Sequence, residues 1–544
     1  MTFSPVQSLH QIQSTASEVR YIDPQHNLGD VDLLHQIGYK QELRRHYSTL
    51  QVFGIAFSIM GLLPSIASVF SMGIASGPAG LVWGWFIASL FIFSVGMSMS
   101  FLGSAIPTSG GLYYYTNYYC PDSFRVPLSY MIGCSNSLGL IGGLCSISYG
   151  FATEVLSAVS VSKDNDFVIT NAKAYGVFAA CVVSCMVVAS LTTKHAAKFQ
   201  TVSICVNVFL VLLFIIAVPV GFGRHNSFNG RGFIFGKFEN ARDWPIGWTA
   251  VMSFNTAIWT IGSFDSVIHC SEEALNAQKS IPVGILGSIG ACWFLGWVVI
   301  IVCAACIKDG NVAHIVATET GSPLAQIIYD ALGKKWTVAF MAMICVGQYL
   351  MAVSIMIALS RQVWSFARDD GLPGVYKWVK YVDPKIKVPI RATIFSGTLA
   401  LAIGCLCIIP GTAGSGALFS LAIASNNLAW GMPVFLVLLP YGRKKFIPGP
   451  FHFGSTLTYI VNVITVLYIV FAIIMSMFPE NRHVDKDSMN YTCVINGAVW
   501  ILSLVYYYAW AWRTYTGPKS NLDGTESDED NSIKNLNEVL TGKA

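Results

Sequence analysis

The sequence predicts an all-α polytopic membrane protein of 12 transmembrane helices, built as a 5+5 inverted repeat with broken helices 1 and 6 and two further helices outside the repeats. Three observations predict it. Of 544 residues, 54% are hydrophobic and only 11% charged, with a mean hydropathy of +0.56, a balance that excludes a soluble domain. Twelve apolar runs are each about 20 residues or longer, enough to cross the hydrocarbon core. Two of them, the first and the sixth, are interrupted near their middles.

Residues 1–48 are polar and read as a cytoplasmic tail, disordered at first, with Gly38–Tyr47 expected as a short amphipathic helix on the membrane surface. No secretory signal is read there, so span 1 is expected to act as its own insertion signal. Span 1 covers 50–75, and its middle, Phe57–Ser68, carries Gly61, Pro64 and the hydroxyls Ser58, Ser65 and Ser68. Pro64 has no N–H to donate, and Gly61 tolerates the backbone angles of a break. Unsatisfied backbone is costly in lipid, so a break there faces protein, a water-filled cavity or a ligand. Spans 2–5 follow at 81–106, 126–158, 174–193 and 200–221. Span 6, at 249–270, is centred on Trp259–Ser266, with Gly262–Ser263 as the expected break. Spans 7–12 are placed at 281–307, 336–366, 390–409, 415–440, 455–478 and 491–513. Interrupted segments at matching places in two halves point to an inverted-repeat transporter with its site at the midplane. The organisation is then a tail (1–48), a first repeat (49–222), a second repeat (249–440), spans 11 and 12 (441–513) and a C-terminal tail (514–544).

The formal charge of +4 says little about partners, but its placement does: 22 of the 33 Lys and Arg are assigned to one set of loops and tails and 11 to the other, with Arg361, Arg368 and Arg391 counted in the loop after span 8 and Arg513 in the C-terminal tail. The positive-inside rule then puts both termini in the cytoplasm. Two acids fall within spans, and intramembrane acids default to function. Glu154 is expected as an interfacial carboxylate. Asp265, deep in span 6, is either a structural clasp or a functional acid. The amides Asn136, Gln348 and Asn426 are candidates for the site, with helix–helix hydrogen bonding as the competing reading. The tyrosines of Ser109–Tyr119 and the aromatics of Tyr506–Trp512 are expected in interfacial belts, with a gate as the other reading of the first group. Asn490-Tyr-Thr is a glycosylation sequon, and Ser527 among acids is a candidate phosphosite. The 14 cysteines lack metal-ligand spacing and read as free thiols, with no metal.

The broken first span, Ser109-Gly-Gly-Leu-Tyr-Tyr-Tyr-Thr116 after span 2 and Ser360–Gly374 (SRQVWSFARDDGLPG) after span 8 resemble the amino acid–polyamine–organocation superfamily. Ile37–Ser68, Ala257–Ser266, Ser271–Pro282 (SEEALNAQKSIP), Leu324–Trp336 and Asn426–Trp430 (NNLAW) are similar to the fungal GABA (4-aminobutyrate) permease branch of its amino acid/choline transporters. The resemblance covers about residues 33 to 520. It implies an APC/LeuT-type fold and proton-coupled uptake of GABA or a similar amine. It places the substrate carboxylate on span 1, with Gly61, Leu62, Leu63, Pro64 and Ser65 as a cradle made chiefly of backbone. Free N–H groups at a half-helix N-terminus suit such an anion. It places the amine against span 6, lined by Trp259, Thr260 and Gly262; Phe264 is a further substrate-binding candidate there. It aligns Asp265 with a proton-responsive acid of related antiporters, which makes Asp265 the proton-coupling candidate. Some relatives carry a lysine in span 5 where this chain has Asn207; Lys198 is nearby at the end of the span. The resemblance implies a vacuolar or plasma membrane.

The expected partners are a small-molecule amine or amino-acid substrate, a proton as coupling ion and membrane lipid, with no nucleic acid and no cofactor. A permease for a polyamine, choline or general amino acids is the alternative. A quaternary ammonium asks for an aromatic box, for which Trp259 and Phe264 are thin, and a polyamine asks for more than one acid. An enzyme is not expected: no HExxH, phosphate-binding loop or Ser/His/Asp set lies in the spans. A non-transporting nutrient sensor would carry a longer cytoplasmic extension than tails of about 48 and 31 residues.

Overall fold

A computed structural model describes residues 29–522 apart from 165, 192, 319–321, 410–412 and 486–488, together with 11–14 and 17–20. Ser527 and most of residues 1–28 lie outside the described residues. Gln11–Ser14 and Ser17–Arg20 pair antiparallel; the rest of the architecture is helical. Eleven helices among the described residues are long and apolar enough to cross a membrane.

Span 1 is two helices, Thr49–Met60 and Leu62–Ile74, hinged at Gly61 with φ of 40°. That left-handed angle suits glycine, and a Cβ there would overlap the Met351 side chain. Ser48 caps the first half in a capping box with Gln51. Pro64 sits in the first turn of the second half, where its missing N–H breaks no helical bond. The run expected as span 6 is instead a chain of short helices, Ile246–Met252, Phe254–Thr260 and Ser266–His269, so it is not among the eleven. Its interruption covers 261–265, and Ser263 has φ of 55°, where the sequence reading put the break.

The uninterrupted spans frame these two. Span 2 (Gly77–Ala105) packs along span 7 (Ala277–Ala305), and span 3 (Arg125–Ser162) packs along both span 8 (Lys334–Arg368) and span 10 (Ala413–Leu438). A short helix follows span 2 (Gly111–Tyr119), and another, Pro323–Leu332, precedes span 8.

Four expectations are corrected. Gly38–Tyr47 is not a surface helix: the helix is Asp30–Gln36. Tyr39, Leu43 and Tyr47 are buried, and the His46 and Tyr47 amides donate to the Glu273 carbonyl. Their spacing of four looked amphipathic, but protein rather than lipid covers them. Tyr113, Tyr114, Tyr115 and Tyr119 are buried inside the protein, not in a belt, whereas Tyr506, Tyr508, Trp510 and Trp512 are exposed as a belt requires. Glu154 is not interfacial but buried, with Oε2 lacking a protein partner. Arg361 and Arg368 belong to the span 8 helix, not to the loop after it.

Candidate functional site

The two interruptions face one pocket of about 440 Å³. Ile59 and Ser65 come from the flanks of the span 1 hinge, and Ile258, Trp259, Thr260, Gly262 and Ser263 from span 6. Span 3 contributes Gly143 and Ile147, span 8 contributes Met351, and span 10 contributes Asn426, Asn427 and Trp430 among others. No ionisable side chain is among the lining residues.

The backbone around the pocket has two poles. On span 1, the Gly61 amide donates to Phe57 O and the Ser65 amide to Gly61 O at 2.8 Å. Pro64 has no N–H. The Leu62 and Leu63 amides open the second half, and the first N–H groups of a helix have no acceptor within it. The Ser65 hydroxyl donates to Met60 O at 2.6 Å. On span 6, the last bond of the upper helix runs from Ile261 N to Ala257 O. The carbonyls of Ile258, Trp259, Thr260 and Ile261 accept no backbone N–H. One pole therefore offers donors and the other acceptors.

Of the sequence candidates, Ser65, Trp259, Thr260, Gly262 and Asn426 line the pocket. The others lie behind it. Leu62 is buried toward Gly296 and Pro64 against Gly347, and Leu63 is fully buried. Phe264 stacks 4.5 Å from Trp430 between ring centres. Gln348 donates to Ile147 O at 3.1 Å. Asn136 donates to Asp265 Oδ2 at 3.0 Å and to Asn426 Oδ1 at 3.3 Å, so it joins the deep acid to a lining residue. Asp265 is fully buried, and its Oδ1 has no protein partner. In span 5, Asn207 bonds to Ser203 within its own helix and Lys198 is exposed, so neither offers a cation to the pocket.

Sequence reasoning missed the residues that close the bundle on the face carrying both termini. Arg361 Nε meets Glu273 Oε1 at 2.6 Å, with both side chains fully buried. Arg368 holds Glu272 through two nitrogens at 3.0 and 3.1 Å and lies 4.0 Å over the Tyr39 ring. Asp369 accepts from Tyr113 OH at 2.7 Å, from Tyr39 OH at 3.0 Å and from the Lys519 amide at 3.3 Å. Burial pushes its carboxyl up to about 6, against the lowering effects of the Arg368 charge and these hydrogen bonds. Asn521 bonds back to Gly38, so the two terminal segments seal the same face. The available signal was the seven-residue spacing of Arg361 and Arg368, two helical turns on one side, opposite the adjacent pair Glu272-Glu273. His269, four residues after Asp265, was also missed, as was Met351 against the hinge. The Asn490 side-chain nitrogen, where a glycan would attach, donates to Ser476 O and Phe478 O.

The model of the amino acid permease family matches residues 47–499. The chain is 50% identical over 518 residues to the GABA-specific permease of Saccharomyces cerevisiae, covering 95% of this chain and 89% of that one. It is 33% identical over 513 residues to an uncharacterized amino-acid permease of Schizosaccharomyces pombe, covering 94% and 90%. It is 30% identical over 511 residues to a putative polyamine transporter of Candida albicans, covering 92% and 90%.

Proposed function

The chain belongs to the amino acid permease family and is a multi-pass membrane transporter, not an enzyme; we propose that it carries 4-aminobutyrate, or a closely related amino acid, together with a proton. The observation that carries this reading is the pocket between two opposed backbone poles. The Leu62 and Leu63 amides suit a carboxylate at a half-helix N-terminus, and the span 6 carbonyls suit an ammonium. Asn426 and Trp259 line the space between the poles. Asp265, tied to Asn426 through Asn136, is the proposed protonatable group.

A polyamine is the second reading, favoured by the Candida relative. The lining argues against it. A polyamine brings several positive charges and no carboxylate, and burying unpaired charge is costly. The pocket lining holds no acid to meet those charges, whereas a zwitterion compensates its own.

The finer architecture belongs to the same proposal. Spans 1–5 (49–222) and 6–10 (249–440) are two inverted repeats, and the broken span 6 completes twelve membrane segments. The packing of span 2 on 7 and of span 3 on 8, partners five apart, supports this. The excess of Lys and Arg on the sealed face supports its being cytoplasmic, in a vacuolar or plasma membrane surrounded by lipid.

The test is uptake of radiolabelled substrates at two pH values in cells lacking their own permeases. Uptake of GABA well above spermidine and choline, rising as external pH falls, is expected. Preferential spermidine uptake overturns the substrate assignment, and pH-independent GABA accumulation overturns the coupling.

A further inference from the structure

Asp265 does not stand alone at the foot of the pocket. His269 lies four residues on, one helical turn away, and both side chains are fully buried. His269 Nδ1 is 3.2 Å from the Ser109 carbonyl oxygen, and Nε2 is 3.3 Å from Asp265 Oδ2. A carbonyl oxygen only accepts, so Nδ1 carries a hydrogen. Nε2 then meets a carboxyl oxygen in one of two ways. Either a bare Nε2 accepts from a protonated Asp265, or a protonated Nε2 donates to an ionised one. Each arrangement holds one shared proton and leaves the pair without net charge. Removing that proton sets a carboxylate against a nitrogen lone pair in a buried site. Adding a second leaves an unpaired imidazolium there. Both are costly in a medium with little water.

We propose that the Asp265–His269 pair, rather than Asp265 alone, is the unit that carries the coupled proton, with the Ser109 carbonyl fixing the histidine tautomer. This rests on the reading of the chain as a proton-coupled permease. The pair senses the pocket through Asn136, which bonds both Asp265 and the lining residue Asn426. Ser266–His269 packs against spans 1, 7 and 8 and the turn Ser271–Glu273. The first half of span 1 carries no ionisable side chain. Span 7 carries the exposed Lys279 and the thiols Cys292 and Cys303. At this end of span 8 stand Arg361 and Arg368, neutralised by Glu273 and Glu272 of the turn. Beside the Ser109 loop stands Tyr113, bonded to Asp369.

The test uses the full-length protein in lipid vesicles and two rates for labelled GABA: accumulation driven by an imposed pH gradient, and exchange for unlabelled GABA without a gradient. Exchange needs no net proton movement, and the ratio of the two cancels differences in protein amount. Asp265→Asn should lower the ratio by on the order of tenfold or more, within the range of coupling between linked sites. His269→Gln and His269→Asn should lower it equally, and Asp265→Asn/His269→Gln no further. A wild-type ratio in either histidine variant, with the ratio lost in Asp265→Asn, overturns the pair and leaves Asp265 acting alone. Loss of exchange in both histidine variants, with protein present, overturns it too, because either amide can still donate to Ser109 and exchange tolerates a fixed proton. A wild-type ratio in Asp265→Asn sinks the proton-coupled reading itself.

Discussion

Replacing Glu273 by Gln should open the sealed face. Glu273 meets Arg361 at 2.6 Å with neither side chain exposed. Removing one partner of a buried pair costs about 3–5 kcal/mol, because the remaining charge stays buried. In an open state Arg361 would be hydrated, so the cost falls on the closed state alone. The glutamine oxygen still accepts from Nε, which puts the effect at the lower end. About 3 kcal/mol is a shift of roughly a hundredfold toward the open state, at about 1.4 kcal/mol per tenfold. Cys270 reports it, being three residues away and 1% exposed. With the exposed thiols Cys205, Cys405 and Cys493 replaced, a membrane-impermeant maleimide applied from the side of the sealed face should label Cys270 about a hundred times faster in Glu273→Gln than in its parent. Arg361→Gln/Glu273→Gln removes both charges and should return labelling close to the parent rate, since replacing a whole buried pair is often nearly neutral. Unchanged labelling in the single variant, or equally fast labelling in the double one, refutes the reasoning.

Gly61→Val should abolish substrate binding, measured by equilibrium binding of labelled GABA to purified protein, because the hinge has φ of 40° and a Cβ there would meet Met351. Unchanged affinity would remove span 1 from the site. Butylamine, which keeps the amine and lacks the carboxylate, should compete with GABA at least about tenfold more weakly than GABA itself, the worth of one charge-assisted contact; equal competition would speak for the polyamine reading. Asp369 is raised by burial to about 6. A carboxyl whose folded pKa is raised contributes stability below its unfolded value that is lost as pH rises through the folded one. The wild-type melting temperature should therefore lose this contribution between about pH 4 and 6, falling there by more than in Asp369→Asn; an identical pH dependence in the two would exclude Asp369 as the source.

The hinges were legible because backbone chemistry is local. Gly61, Pro64 and Gly262–Ser263 each alter φ/ψ freedom or donor count wherever they stand, and both breaks fall where those residues predict. The free donors were only partly legible. Which amides remain unpaired depends on Gly61 accepting from Ser65, a bond that closes the first turn of the second half. Gly61 and Ser65 are spent on helix bonds and Pro64 has no N–H, so the donors of the proposed cradle narrow to Leu62 and Leu63 at the start of the helix. The sealed face was misread for a different reason. Tyr39, Tyr113, Arg361 and Arg368 have the composition of a membrane border, and amphipathic residues serve water, lipid or a protein partner equally well. Only the fold brings in the partners, from positions as far apart as Tyr39 and Asp369. Glu154 was misplaced likewise: its position along span 3 suggested headgroups, but depth in the sequence does not reveal which side of a helix meets another helix.

Proton and gate are tied together by one short loop. The Ser109 carbonyl faces His269 Nδ1, while the Ser109 amide donates to Glu272 Oε1 at 3.1 Å. Glu272 in turn is held by Arg368. The ion pair that seals the face therefore also positions the oxygen that keeps a hydrogen on Nδ1. When the face opens and Arg368 leaves Glu272, the loop loses its anchor and Nδ1 loses its fixed acceptor. On the proposed reading, the one-proton arrangement is then no longer enforced, and water entering from that face can take the proton from Nε2 or from Asp265. Before opening, release would strand a carboxylate against a lone pair away from water, at a cost of several kcal/mol. If the pair carries the proton, release is timed to opening by the same bonds that hold the face shut, and the pocket joins the same circuit through Asn426 and Asn136. The order follows from connectivity: weakening Glu272–Arg368 should loosen coupling even though neither residue touches the substrate, and Arg368→Gln should lower the accumulation-to-exchange ratio while leaving equilibrium GABA affinity within about twofold, a change of less than about 0.5 kcal/mol.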